Sequence, residues 1–157
     1  MKAITLKAGR EKSATRRHPW VFSGAIDKVL GDPSLGDSVE IYSYAGDFLG
    51  MGAYSPSSQI RARFWNFEEK RNIDEEFLSK VLDQAIASRH SRGFDVSDKQ
   101  NAFRLVNAEN DGIPGCIIDK YGPYFSIEIL SAGAEVFREI IFKLLAEKTG
   151  CTGIIER

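Results

Sequence analysis

Up to about residue 67 the chain sets short apolar runs between clusters of turn residues, a pattern of short strands rather than helices. Strands are predicted over residues 3–7, 25–30, 38–43, 48–54 and 60–66. Gly31-Asp32-Pro33, Gly36-Asp37, Ala45-Gly46-Asp47 and Ser55-Pro56-Ser57-Ser58 punctuate them. Strands this short and regularly spaced predict a small barrel or curled sheet. Between the first two, residues 9–15 fit one or two helical turns, and Pro19 biases His18 toward an extended backbone.

The period changes near residue 72. Ile73, Phe77, Val81 and Ala85 recur every four residues, with Leu78, Leu82 and Ile86 in the neighbouring row, so an amphipathic helix is predicted. Asn72, with Glu75 three residues on, reads as its capping box, and Gly93 as its stop. The composition shift over residues 68–72 predicts a boundary between domains 1–68 and 69–157. Beyond the helix the pattern reads strand, strand, strand, helix, strand. The strands fall at residues 103–107, 116–119 and 124–130, the helix at 134–148, and a last strand begins at Gly153. Phe125, Ile127 and Ile129 alternate with Ser126 and Glu128, the period of a sheet with one buried face. The sequence stops inside that last apolar strand, so a further domain is expected after Arg157.

Composition narrows the class. With 43% hydrophobic and 27% charged residues, both near soluble-globular averages, disorder is not the default reading of the chain. No run approaches the ~20 apolar residues of a membrane span, and the first residues lack a signal-peptide core. A cytoplasmic protein without membrane partners is expected. Cys116 and Cys151 form no disulfide framework, and with His18 and His90 as the only histidines no metal-ligand set emerges. Charge is more informative. The net of −1 divides into +3 over residues 1–67 and −4 over the rest, and residues 1–26 hold six bases against the single acid Glu11. A local basic region on a near-neutral chain is an electrostatic footprint for phosphates, or else a solvated surface.

Two segments carry candidate chemistry. In Arg16-Arg17-His18-Pro19-Trp20-Val21-Phe22, cations precede an aromatic pair; arginine forks meet phosphate oxygens and exposed rings stack on unpaired bases. Trp20 is read as a core residue, because large aromatics supply buried area in small domains. In Ile60-Arg61-Ala62-Arg63-Phe64-Trp65, the strand period puts Arg61, Arg63 and Trp65 on one face and Ile60, Ala62 and Phe64 on the other. That is a phosphate-binding stripe ending in an aromatic, with an ordinary solvated strand as the equal alternative. Gly50-Met51-Gly52 starts a dinucleotide-like match but has Ser55 where a third glycine belongs and no following helix, so it reads as a tight bend. Glu109, Asp111 and Asp119 bring carboxylates of the kind acid–base catalysis uses to a glycine-rich turn, without the spacing of a calcium loop, and both cysteines read as core residues.

Two stretches together resemble a known family. His18-Pro19-Trp20-Val21-Phe22 resembles the entry to a PUA-type RNA-binding domain. Residues 103–115, Phe-Arg-Leu-Val-Asn-Ala-Glu-Asn-Asp-Gly-Ile-Pro-Gly, followed by Ile117-Ile118-Asp119, resemble the middle domain of the S-adenosylmethionine-dependent cytosine-5 methyltransferases of large-subunit ribosomal RNA. Residues 154–157 resemble the approach to that family's catalytic domain. The resemblance implies an α+β fold: a small mixed β-barrel, then an α/β sandwich-type middle domain of strand-strand-helix-strand character. A Rossmann-like methyltransferase domain would follow. The family's cofactor loop, ribose-binding acid and catalytic cysteine lie in that last domain, and no residue of this chain matches them. S-adenosylmethionine is thus implied for the full-length family, with no cofactor and no catalytic residue expected in this chain, which should not methylate alone.

The expected function is therefore the recognition portion of an RNA methyltransferase. Arg16, Arg17, Arg61 and Arg63 would contact ribosomal RNA backbone, with Lys12 and His18 as lesser contacts. The rival from another class is an interaction or scaffold module that assembles through its middle domain, with self-association through an exposed final strand.

Overall fold

The computed structural model describes residues 1–157 as two compact units, Met1–Ile73 and Asp74–Arg157. No helix is long and apolar enough to cross a membrane.

In the first unit the strands are β1 (Ala3–Leu6), β2 (Trp20–Phe22), β3 (Ile26–Leu30), β4 (Ser38–Tyr42), β5 (Phe48–Tyr54) and β6 (Ile60–Asn66), with one helical turn, α1 (Lys12–Thr15). They form a single sheet in the order β2-β6-β5-β4-β1-β3, antiparallel throughout except for the parallel β1–β4 pair. The two edge strands, β2 and β3, are joined by the turn Ser23–Ala25 alone. Four peptide steps span at most ~14 Å, so the sheet must curl until its edges nearly meet. Period two then sends Ile4, Leu6, Val21, Val39, Ile41, Ala62 and Phe64 into the enclosed core. Tight approach of β5 to β6 requires glycine. A Cβ on Gly50 would lie against the Asn66 carbonyl and the Phe64 ring, and one on Gly52 would sit 2.8 Å from the Arg63 carbonyl. This pair therefore packs against a strand and leaves no loop to cradle a nucleotide.

The second unit opens with α2 (Glu75–His90), whose buried stripe is Phe77, Leu78, Val81, Leu82 and Ala85. The expected cap at Asn72 is corrected: Asp74 is the N-cap, extended at φ −138°, and its carboxylate accepts from the Phe77 N–H at 2.9 Å. After α2 come β7 (Ala102–Asn107), β8 (Cys116–Tyr121) and β9 (Tyr124–Ile129), an antiparallel meander. The expected single helix is two segments, α3 (Ala132–Val136) and α4 (Arg138–Thr149), because Phe137 leaves the helical region at φ −100°, ψ 9°. Ser131 starts α3, its Oγ accepting from Ala134 N–H and donating to the Pro114 carbonyl at 2.6 Å. The helices supply the crossover that a parallel neighbour needs, so β10 (Gly153–Glu156) returns beside β9 in the order β10-β9-β8-β7. Helices α2 and α4 pack together, with Lys143–Glu75 (2.8 Å) and Lys148–Asp83 (2.7 Å) ion pairs at their margin.

Two internal clamps hold the turns of this unit. Arg89, at the end of α2, grips Asp111 through both Nη atoms (3.2 and 2.5 Å) and donates from Nε to the Arg104 carbonyl. Asp111 also accepts from the Asn107 N–H at 2.7 Å, so one carboxylate fixes the turn after β7 to the helix. Lys120 is 1% exposed, and its ammonium donates to the Asp98 and Gly122 carbonyls and the Asn101 side chain. Three acceptors discharge the three donors of the buried cation.

Candidate nucleic-acid interface

The sequence-selected cations gather around β2 and β6 in the first unit. β2 is a strand the sequence pattern did not disclose, and its pairing with β6 decides which side chains face out. Val21 stands opposite Ala62, both buried, so the neighbouring positions Trp20 and Phe22 point away from the core. The expectation that Trp20 is a core residue is thereby corrected: it is 36% exposed and Phe22 48%. Trp20 is the direct cross-strand partner of Arg63, a neighbourhood in which Cβ atoms lie ~5 Å apart. At the other end of the row the expectation also changes. Trp65 is buried, falling where the β5–β6 register shifts, and offers no exposed ring.

His18 completes an aromatic group. Its ring lies 5.8 Å from Trp20, edge to face, and 6.4 Å from Phe22, while Trp20 and Phe22 meet at 6.2 Å and 84°. Nδ1 of His18 accepts from the Trp20 N–H at 3.2 Å, which anchors the imidazole over the start of β2. The Pro19 carbonyl accepts from Phe64 N–H at 2.8 Å, extending the β2–β6 contact by one residue.

Around these rings stand the cations. Lys12 and Arg16 are exposed on and after α1. Arg17 takes φ 59° at the helix end, a left-handed position that usually falls to glycine, and its guanidinium pairs with Glu68 at 2.6 Å. That pair is open to solvent on both sides, so it is worth at most ~1 kcal/mol and yields to a phosphate. Arg61 is half-buried, with its Nε enclosed and without a hydrogen-bond partner. The structure thus brings His18 and Arg63 to one row with two exposed aromatics, and sets Lys12, Arg16 and Arg17 on the adjoining segment. The exposed rings were missed because three residues of β2 cannot show which parity faces inward.

The acids considered for catalysis are spread over separate tasks in the second unit. Asp111 is taken by Arg89, and Asp119 by the fork of Arg104 at 2.8 and 3.1 Å. No group of three or more His, Cys, Asp or Glu side chains converges to hold a metal. Burial pushes the Cys116 thiol up to about 12, so at neutral pH it stays protonated and unreactive. One thiol, that of the half-buried Cys151, is therefore expected to react with a disulfide reagent in the native state. Cys116 should follow only on unfolding. Two equally fast thiols would show the second unit to open more readily than its packing implies.

With this geometry in place, comparison gives the class of the first unit: residues 4–67 match the model of the PUA-like domain. Along 99% of its length the chain is homologous to curated proteins named ribosomal RNA large subunit methyltransferase I. It is 44% identical over 155 residues to that of Aliivibrio fischeri and 45% over 157 residues to that of Vibrio vulnificus. It spans 39% and 38% of their respective lengths. The Escherichia coli protein is 44% identical over 142 residues, covering 90% of this chain and 35% of its own. A Streptococcus mutans structure assigned as a SAM-dependent methyltransferase superposes on the whole chain with a TM-score of 0.82 at 20% identity, the match covering 40% of its length. That likeness supports the mixed α+β fold.

Proposed function

We propose that this chain is the RNA-recognition portion of an S-adenosylmethionine-dependent methyltransferase of large-subunit ribosomal RNA, acting on cytosine C5. The observation that carries the reading is the outward row on β2 and β6, where Trp20 faces Arg63 and lies between exposed rings and a basic segment. Arginines 16, 17, 61 and 63 contact the phosphate backbone, with Lys12 and His18 at its margin. The homologous ribosomal RNA methyltransferases and the PUA-like match support the same assignment. In the full-length protein, residues 69–157 form the connector that leads into a catalytic domain, where the cofactor binds. Within this chain the only paired glycines of nucleotide-loop type pack against β6, so they do not fit a cofactor, and no chemical step is assigned here.

Titrating structured ribosomal RNA fragments into the chain at two salt concentrations tests the proposal. Binding should weaken steeply as salt rises, as counterion release requires. Affinity that is absent at low salt, or indifferent to salt, would overturn it. A second reading draws on β10, an edge strand whose Ile155 is 62% exposed and which could add to another sheet edge. Sedimentation as a monomer at high concentration would remove the self-association form of that reading.

A further inference from the structure

Beside the aromatic group the first unit contains a cavity of about 210 Å³ that phosphate contacts alone do not use. Its apolar lining is Leu6, Ala14 and Val21, all buried, and Trp20 and Phe22 stand exposed at its side. Arg10 and Ser13, both exposed, are its polar lining residues. The Gly24 carbonyl, also at the cavity, already accepts from Lys7 Nζ at 3.2 Å. Size, lining and charge together select the occupant. Drug-sized sites run to ~300–1,000 Å³, so this space takes one planar ring system rather than a dinucleotide. An apolar lining with exposed aromatic rings suits a base face, and the exposed Lys12 and Arg16 of the same segment suit the phosphates beside it. A guanidinium only donates, so the edge it meets must accept, as O6 and N7 of guanine do.

We propose that this cavity receives a single base turned out of its stack, guanine by preference, stacked on Trp20 with Phe22, whose ring stands at 84° to it, against the base's side and Arg10 on its acceptor edge. The inference rests on the RNA-recognition reading and adds to it a demand for an unpaired nucleotide. The segment between α1 and β3 thereby reads local RNA shape, whereas the arginine row reads only charge. A fully paired helix can satisfy the arginines and leave the cavity unused.

The test compares three RNA hairpins of equal length: fully paired, with one bulged guanine, and with one bulged uracil. The bulged-guanine hairpin should bind about ten-fold or more tighter than the paired one, the scale of one stacked base. Gly24→Leu should bring it back to the paired level while leaving the salt dependence unchanged, and Trp20→Ala should also abolish the bulge preference. Gly24 does not have a left-handed φ, and a Cβ there meets no atom within 4 Å, so G24L adds bulk at the cavity lining without straining the fold. Arg10→Met should erase the difference between the two bulges. Equal, salt-sensitive binding of all three hairpins would overturn the base site and leave phosphate recognition standing. Bulged hairpins that bind tighter but alike would overturn the role of Arg10. Failure of every hairpin to bind would overturn both readings.

Discussion

Asp111→Ala should destabilise the second unit by about 3–5 kcal/mol, the usual cost of leaving one member of a buried ion pair alone. The side chains of Arg89 and Asp111 are only 12% and 13% exposed, so neither is well solvated in the fold. Removing the carboxylate strands a guanidinium and also releases the Asn107 N–H, which Asp111 accepts from at the turn after β7. Because the chain has two compact units, one melting temperature could merge two events; hydrogen exchange over residues 75–121 gives the local opening free energy directly. A second variant separates charge from packing. Arg89→Met with Asp111→Leu removes both charges, and should recover much of the loss, since apolar replacement of a whole buried pair is often neutral. A loss below ~1 kcal/mol in D111A would mean that water reaches the pair.

The same clamp shows what the sequence could and could not disclose. Residues 103–119 stood out by resemblance, and their acids were weighed as catalytic or calcium-binding candidates. Folding assigns Asp111 to the end of α2 and Asp119 to a strand neighbour, Arg104, through contacts 22 and 15 residues away. Spacing along a strand or turn carries no record of such partners. The glycines are another matter. Gly115 has φ 72°, and a Cβ there would meet Ser131 at 2.5 Å, so its presence in the turn was a legible backbone demand. Long periodic segments were legible too: β5 and β6 fall on residues 48–54 and 60–66 as their pattern predicts, and the stripe of α2 is the buried one. What the stripe could not fix was its first residue, because Asn72 and Asp74 are both good caps and only the Phe77 N–H chooses between them.

For the interface, the cations were legible and the rings were not. Arg61 and Arg63 belong to a seven-residue strand whose alternation is plain. Trp20 and Phe22 belong to a three-residue strand that exists because β6 pairs with it. Burial area alone favours Trp inside. Local fit reverses this, since a small core opposite Ala62 admits Val21 and turns its larger neighbours outward. Conversely Trp65, placed outside by strict period two, is buried where the register slips by one residue. Both misplacements arise from long-range pairing, and both exchange which aromatic is available to a ligand.

Replacing Arg16, Arg17, Arg61 and Arg63 together by Ala is the decisive test of the charge reading, with an expected loss of RNA affinity of at least ~100-fold at ~50 mM salt. Each phosphate contact contributes about 0.7–0.9 to the slope of log affinity against log salt, so the slope should fall by about three if all four arginines act. Their contributions should differ. Arg17 gives least, because binding must first draw it from Glu68, 2.6 Å away. Arg61 gives more, because its half-buried side chain has less rotamer freedom to lose on contact. Arg63 acts beside Trp20, so R63A and W20A should combine non-additively, whereas R16A and R61A should add. Fluorescence anisotropy of a labelled ribosomal RNA hairpin across a salt series measures both quantities. Far-ultraviolet circular dichroism on the same samples shows that the curled sheet persists. A quadruple variant with unaltered slope would place the phosphates elsewhere on the chain. A reduced slope with the guanine-bulge preference intact would instead show charge and base to be read by separate parts of one surface.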